Sequence, residues 1–156
     1  MRKFTYFAIL LLSMSTIFVS CTKKQVDELT TQSMTANVNT SVFTAKEING
    51  RSDPNPSANW AGKTEVTITG SDGTRYIALA IMDWNESNPT LDYSFNGSGA
   101  SAIGGYNSGS GSDDIITSGT LHLTTSLGGV YLEGNFDVIT QLGVHITNGH
   151  FYAKIK

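Results

Sequence analysis

The stretch VYLEGNFDV, residues 130–138, alternates apolar and other side chains along most of its length. A period of two residues is typical of a β-strand with one face buried and the other exposed. The inward set is Val130, Leu132, Phe136 and Val138, with Gly134 between them. We therefore predict a strand here and a fold built from sheet.

The segments on either side continue this pattern. In 120–124, Leu121 and Leu123 point to one face and His122 to the other. The last segment, 144–156, contains Asn148-Gly149, a pair that often forms a tight hairpin turn. A hairpin there would leave strand 130–138 with too few residues to pair with, so we favour one continuous strand with a bulge at Gly149. The residues then expected to face the core are Val144, Ile146, Phe151, Ala153 and Ile155.

The middle of the chain contains a second strong signal. Residues 63–69 alternate strictly, which predicts a half-buried strand with Val66 and Ile68 on its inward face. The Ser71–Thr74 segment that follows has the composition of a turn. Residues 76–82 are apolar at nearly every position, so both faces need cover. We predict a central strand there, with a core face and a more thinly covered second face; a helix is the alternative, but the segment is short for one. Its core face is expected to consist of Ile77, Leu79 and Ile81.

The remaining segments are shorter or richer in turn residues. Short strands are predicted at 35–38, 42–45, 91–95 and 102–106. The segment 49–62 contains Pro54 and Pro56, which rule out a central strand, and is interpreted as a long loop. Further loops are predicted at 84–90 and at the Gly/Ser-rich tip 108–112. Together these elements predict an all-β, single antiparallel β-sandwich, with a jelly-roll or barrel-like variant left open.

The N-terminus resembles an export signal that ends in a lipid-acceptor site. Arg2 and Lys3 precede an apolar run of 16 residues, too short for the roughly 20 that span a membrane. The run ends in Phe18-Val19-Ser20-Cys21, a sequence similar to the lipobox of bacterial lipoproteins. The alternative is a conventional secreted protein in which Cys21, the single cysteine, is a free thiol. We predict a signal peptide over 1–20, a lipidated flexible tether over 21–33 and the β-sandwich domain over 34–156.

Composition limits the possible partners. Without residues 1–20 the chain has 136 residues, a length that suits one domain. It then contains eight Lys and Arg against thirteen Asp and Glu, a net charge of −5, which argues against nucleic-acid binding. The expected location is the cell envelope, most simply the outer membrane, with the periplasmic or surface-exposed face left open.

Several short pieces of the chain resemble a family of small uncharacterised lipoproteins from Bacteroidetes-type Gram-negative bacteria. The matching pieces are 34–39, 43–45, 118–121, Leu132-x-Gly134-x-Phe136 and Ile146-Thr147-Asn148-Gly149-x-Phe151. From the first to the last they span nearly the whole domain, and their order and spacing carry the resemblance. It implies a lipidated all-β domain and supplies no catalytic residues.

No catalytic pattern is present in the sequence. It contains neither a Gly-x-Ser-x-Gly elbow nor an HExxH zinc motif. Asp113-Asp114 with Asp53 or Asp137 offers carboxylates for calcium, but a solvated acidic loop explains them as well. We therefore expect no enzyme activity, no cofactor and no metal.

Aromatic residues in loops suggest a binding role. Trp60, Trp84 and Tyr106 lie in predicted loops or at loop edges, where flat rings stack on sugars or close the ends of a β core. The expected function is a non-enzymatic binding or structural module held on a membrane by its lipid, with a glycan or another envelope protein as partner. A carbohydrate-binding accessory lipoprotein that uses these three aromatic residues is the alternative.

Overall fold

The computed structural model describes residues 31–54, 64–85, 92–97, 100–127 and 130–156. These residues form ten β-strands and contain no α-helix. The strands are β1 (Ser33–Val38), β2 (Ser41–Thr44), β3 (Glu47–Asp53), β4 (Glu65–Ser71), β5 (Tyr76–Ile81), β6 (Asp92–Ser94), β7 (Ala102–Asn107), β8 (Asp114–Leu127), β9 (Tyr131–Thr140) and β10 (His145–Lys154). They all belong to one compact unit, Gln32–Lys156.

The strands form one antiparallel sheet in the order β2-β1-β10-β9-β8-β7-β5-β4-β3, with β6 also paired to β8. The first residues of β8 pair with β7, and most of its length pairs with β9. Strand β3, at one end of this order, reaches the end of β10 through a parallel bridge between Gly50 and Ile155. The sheet is therefore curled into a half-barrel, and the predicted all-β, antiparallel class is confirmed.

One hydrophobic core fills the inside of the curled sheet. Its largest fully buried side chains are Phe43, Phe136, Phe151, Met34, Ile68, Ile77, Leu79, Ile81, Leu121, Leu123, Leu132 and Ile146. The predicted inward faces of β4, β5 and β8 are confirmed, and His122 is exposed as expected. Val130 is a correction, because it is 42% exposed in the turn before β9. Alternation gives the phase of a strand but not the residue at which pairing starts.

Strand β10 contains the predicted bulge. Ile146 pairs with Val138 and Gly149 with Phe136, so three steps along β10 match two along β9. Asn148 has a φ of 50°, and its backbone N–H donates to Asp137 Oδ1 at 2.7 Å. This extra residue keeps both ends of β10 in phase with the core. Ile146, Phe151 and Ala153 are fully buried, and Val144 and Ile155 pack against the core from its margins.

Gly149 is required by the ring of Phe136 rather than by its own backbone angles. A Cβ at Gly149 would lie 2.5–2.6 Å from three atoms of that ring. We expect Gly149→Ala to lower the free energy of unfolding by about 2 kcal/mol. In a Phe136→Leu background the same change should cost less than half as much, because leucine lacks Cε2 and Cζ, the two ring atoms nearest to that Cβ. Urea unfolding of the four proteins measures this coupling, and an equal cost in both backgrounds would contradict it.

The predicted long loop at 49–62 is partly wrong. Glu47–Asp53 forms strand β3, which pairs with β4 from Glu47↔Ser71 to Asp53↔Glu65. Pro54 follows the last paired residue, so the proline ends the strand without disrupting it. Strand β8 is longer than predicted, with 14 residues. The other predicted strands are present with shifted ends; Leu91, in the segment predicted at 91–95, lies outside the described residues.

Candidate functional site

The outer face of β4, β5, β7 and the start of β8 carries a groove of about 490 Å³. Cross-strand pairing assembles it: Ala78 lies opposite Gly105, and Gly105 opposite Ile115. The next row pairs Thr67 with Ala80 and Ala80 with Ile103. Side chains on one face of a sheet repeat every second residue, so these two rows lie side by side on the outer surface. The groove is lined by Thr67, Tyr76, Ala78, Leu79, Ala80, Ile103, Gly104, Gly105, Asp113 and Ile115.

Small residues form the floor of the groove and two isoleucines form its wall. Ala78, Ala80 and Gly105 leave the backbone of β5 and β7 close to the surface. Ile103 and Ile115 rise beside them and are 49% and 58% exposed. Single exposed apolar residues are common on proteins, but a concave apolar surface of this volume is within the range of small-ligand sites, about 300–1,000 Å³.

One end of the groove is polar and fixed by hydrogen bonds. The Tyr76 hydroxyl and Asn107 Nδ2 both donate to Asp113 Oδ1, the amide at 2.8 Å. Asn107 in turn accepts the N–H of Gly109 at 2.7 Å. The amide of Asn107, and then the hydroxyl of Tyr76, lower the pKa of Asp113, while the hydrogen bond to Asp113 raises the pKa of Tyr76. At neutral pH the groove therefore ends in a carboxylate, beside a phenol that keeps its proton.

A second cleft, of similar volume, is polar and has a structural explanation. It is lined by Val42, Thr44, Lys46, Asp72, Thr74, Arg75 and Ser108. Arg75 Nε donates to Asp72 at 2.7 Å, Nη2 donates to the carbonyl of Val42 at 3.1 Å, and the guanidinium lies 5.5 Å from the ring centre of Phe43. Hydrogen bonds from the backbone N–H groups of Arg75 and Thr74 lower the pKa of Asp72 to about 2. These contacts fix the β4–β5 turn against β2, and they occupy the guanidinium group of Arg75.

The predicted aromatic site is not assembled in the part of the chain that the structure describes. Tyr106 is 6% exposed and lies opposite Ile77 on the core side of β7, so it is a core residue and offers no stacking surface. Strand parity explains this correction, because Tyr106 neighbours the outward-facing Gly105. Trp84 is half-buried and packs against the core. Trp60 and Cys21 lie outside the described residues.

Two histidines and Asp114 each have separate hydrogen-bond partners. His122 Nδ1 lies 2.6 Å from Asp92 Oδ1, and His150 Nε2 lies 2.9 Å from Glu133 Oε1. Asp114 is a correction to the solvated acidic loop, because it is 8% exposed and accepts hydrogen bonds from Thr140 and the N–H of Leu142. Over the described ranges, no group of three or more His, Cys, Asp or Glu side chains is placed to hold a metal ion.

The sequence predicts the strands of the groove but not the groove itself. The one signal is the apolar outer face of 76–82, for which the sequence predicts only thin cover. Residues such as Ala78 and Gly105 carry no chemistry that marks them as functional. They become a site only through their pairing and the two isoleucines beside them.

No family model, curated protein or solved structure matches this chain. The residues that the structure describes include no helix that is long and apolar enough to cross a bilayer.

Proposed function

We propose that the protein is a lipid-anchored component of the cell envelope whose β domain is a non-enzymatic binding module. Cys21 would carry the lipid, and the outer membrane is the expected location. The groove between Thr67 and Ile115 would be the ligand-binding site. The observation that carries this proposal is the pair of exposed isoleucines, Ile103 and Ile115, beside a floor of small residues that ends in a fixed carboxylate.

The groups in the groove suit binding better than catalysis. Thr67 Oγ1 donates to Glu65 Oε1 at 2.9 Å, so its hydroxyl proton is already hydrogen-bonded within β4. The Tyr76 hydroxyl donates to Asp113, and its raised pKa makes it a poor nucleophile at neutral pH. The other lining residues are aliphatic or glycine. These features support non-covalent binding of a partly apolar ligand.

Filling the groove should weaken ligand binding at least tenfold without unfolding the domain. Ala78 lies in the middle of the floor, and a leucine there would occupy the space between Ile103 and Ile115. With the neutral dye N-phenyl-1-naphthylamine as probe, we expect saturable fluorescence enhancement by the unsubstituted protein and at least a tenfold loss of affinity in Ala78→Leu.

The matched control is Thr120→Leu, which adds an apolar side chain to an exposed position on another part of the sheet's outer face. It should bind the dye as the unsubstituted protein does. Far-UV circular dichroism establishes that both variants are folded. Dye binding that is equal in Ala78→Leu and Thr120→Leu would place the site elsewhere and overturn the proposal.

A further inference from the structure

We infer that the groove selects small cationic amphiphiles, with the apolar part of the ligand on the floor formed by Ala78, Ala80 and Gly105 and its ammonium group on Asp113. This inference rests on the proposed binding role of the same groove. It adds the sign of the ligand's charge and the atom that receives it.

The described lining of the groove carries charge of one sign. Asp113 is the charged residue among the described lining residues, which include neither lysine nor arginine. Beyond the lining on the β4 side, Thr67 is hydrogen-bonded to Glu65 and lies opposite Arg51 of β3, whose guanidinium is paired with Asp53. Lys46 and Arg75 line the other cleft, where Arg75 is paired with Asp72. A cationic ligand therefore meets only opposite charge in the groove, whereas an anionic ligand meets like charge.

The carboxylate of Asp113 is held in place through one of its two oxygens, which leaves the other able to accept a hydrogen bond. Both of its hydrogen-bond donors, Tyr76 and Asn107, act on Oδ1. Oδ2 has no hydrogen-bond partner among the described residues. Charge-assisted hydrogen bonds are stronger than neutral ones, so an ammonium N–H gains more from this oxygen than a hydroxyl does. The two donors fix the position of the free oxygen before a ligand arrives.

The length of the groove suits a short alkyl or aryl chain. Tyr76 and Ala80 are four residues apart on β5, which corresponds to about 13 Å of strand. An apolar chain along this line would lie on Ala78, with Ile103 and Ile115 at its side. Its polar end would then reach Asp113, next to the ring of Tyr76.

Three probes with one alkyl chain separate charge from apolar contact: n-octylamine, 1-octanol and sodium octanoate. Each is titrated into the ¹⁵N-labelled chain 21–156 with Cys21→Ser, which contains all ten strands, and the amide shifts of Ala78, Ala80 and Gly105 are followed by NMR. We expect octylamine to bind at least tenfold more tightly than octanol, and octanoate to bind most weakly. In Asp113→Asn the amine should bind no better than the alcohol, while octanol binding stays unchanged.

Glu65→Gln is the matched control, because it removes a nearby carboxylate that does not line the groove; it should keep the preference for the amine. Equal binding of octylamine and octanol by the unsubstituted protein, or an amine preference that survives Asp113→Asn, would overturn the cationic selectivity and leave the binding role standing. If none of the three probes shifts these amides, the proposed binding role fails as well.

Discussion

Replacing Cys21 with serine is expected to remove the proposed lipid and, with it, the proposed stable attachment to membranes. Each buried methylene of an acyl chain contributes about 0.8 kcal/mol, so two or three chains anchor a protein stably on a bilayer. The unsubstituted chain should yield a mature N-terminal peptide that begins at Cys21 and carries the mass of these acyl groups. The Cys21→Ser chain should yield neither the acylated peptide nor the cleavage before residue 21.

Membrane fractionation alone does not decide this experiment, because an uncleaved signal would itself stay in the membrane through its apolar run of 16 residues. A second variant resolves this: Cys21→Ser behind a conventional cleavable export signal in place of residues 1–20, expected to be soluble. Phe18→Leu is the control within the lipobox and should be processed and acylated normally. A mature N-terminus without acyl mass in the unsubstituted protein would contradict the lipid anchor.

The inward faces of the strands could be predicted because each depends on a local alternation. Leu121 and Leu123 in β8, and Val66 and Ile68 in β4, are buried as that alternation predicts. Strand β3 could not be found in this way, because its signal is weak and its stability comes from pairing with β4. Pro54 suggests a break across the whole segment, although a proline acts only on its own position and the residue before it.

The groove could not be predicted from the sequence, for a different reason. Its floor depends on the register that places Ala78 opposite Gly105 and Gly105 opposite Ile115. Ala78 and Gly105 are far apart in the chain, and neither segment contains information about which residue of the other it will face. A one-residue slip would turn these side chains to the other face of the sheet. Tyr106 shows the same limit, since its place on the core side depends on that register.

Among the glycines that the structure describes, Gly119→Ala is expected to be the most destabilising substitution, at about 3 kcal/mol or more. Gly119 has a φ of 127°, which an alanine adopts only with strain, and a Cβ there would overlap the carbonyl oxygen of Asp137 and lie 2.6 Å from Cα of Val138. Both obstacles are backbone atoms of β9, so no rotamer change relieves the overlap. Its backbone also accepts the N–H of Phe95 and donates to Asn96, so the residues after β6 must move as well.

Two other glycines separate the causes of that loss. Gly111 has a φ of 98° and no atom within 4 Å of the position that a Cβ would take, so Gly111→Ala should cost only the backbone strain, about 1 kcal/mol. Gly105 has no positive φ and the nearest neighbour of its added Cβ would be an ordinary 3.6 Å away, so Gly105→Ala should change stability little. Urea unfolding should show the largest loss in free energy of unfolding for Gly119→Ala, a smaller one for Gly111→Ala and the smallest for Gly105→Ala. If Gly119→Ala lowers the free energy of unfolding no more than Gly111→Ala does, the close approach of β8 and β9 at Gly119 is wrong. The register of β8 against β9 is then wrong as well.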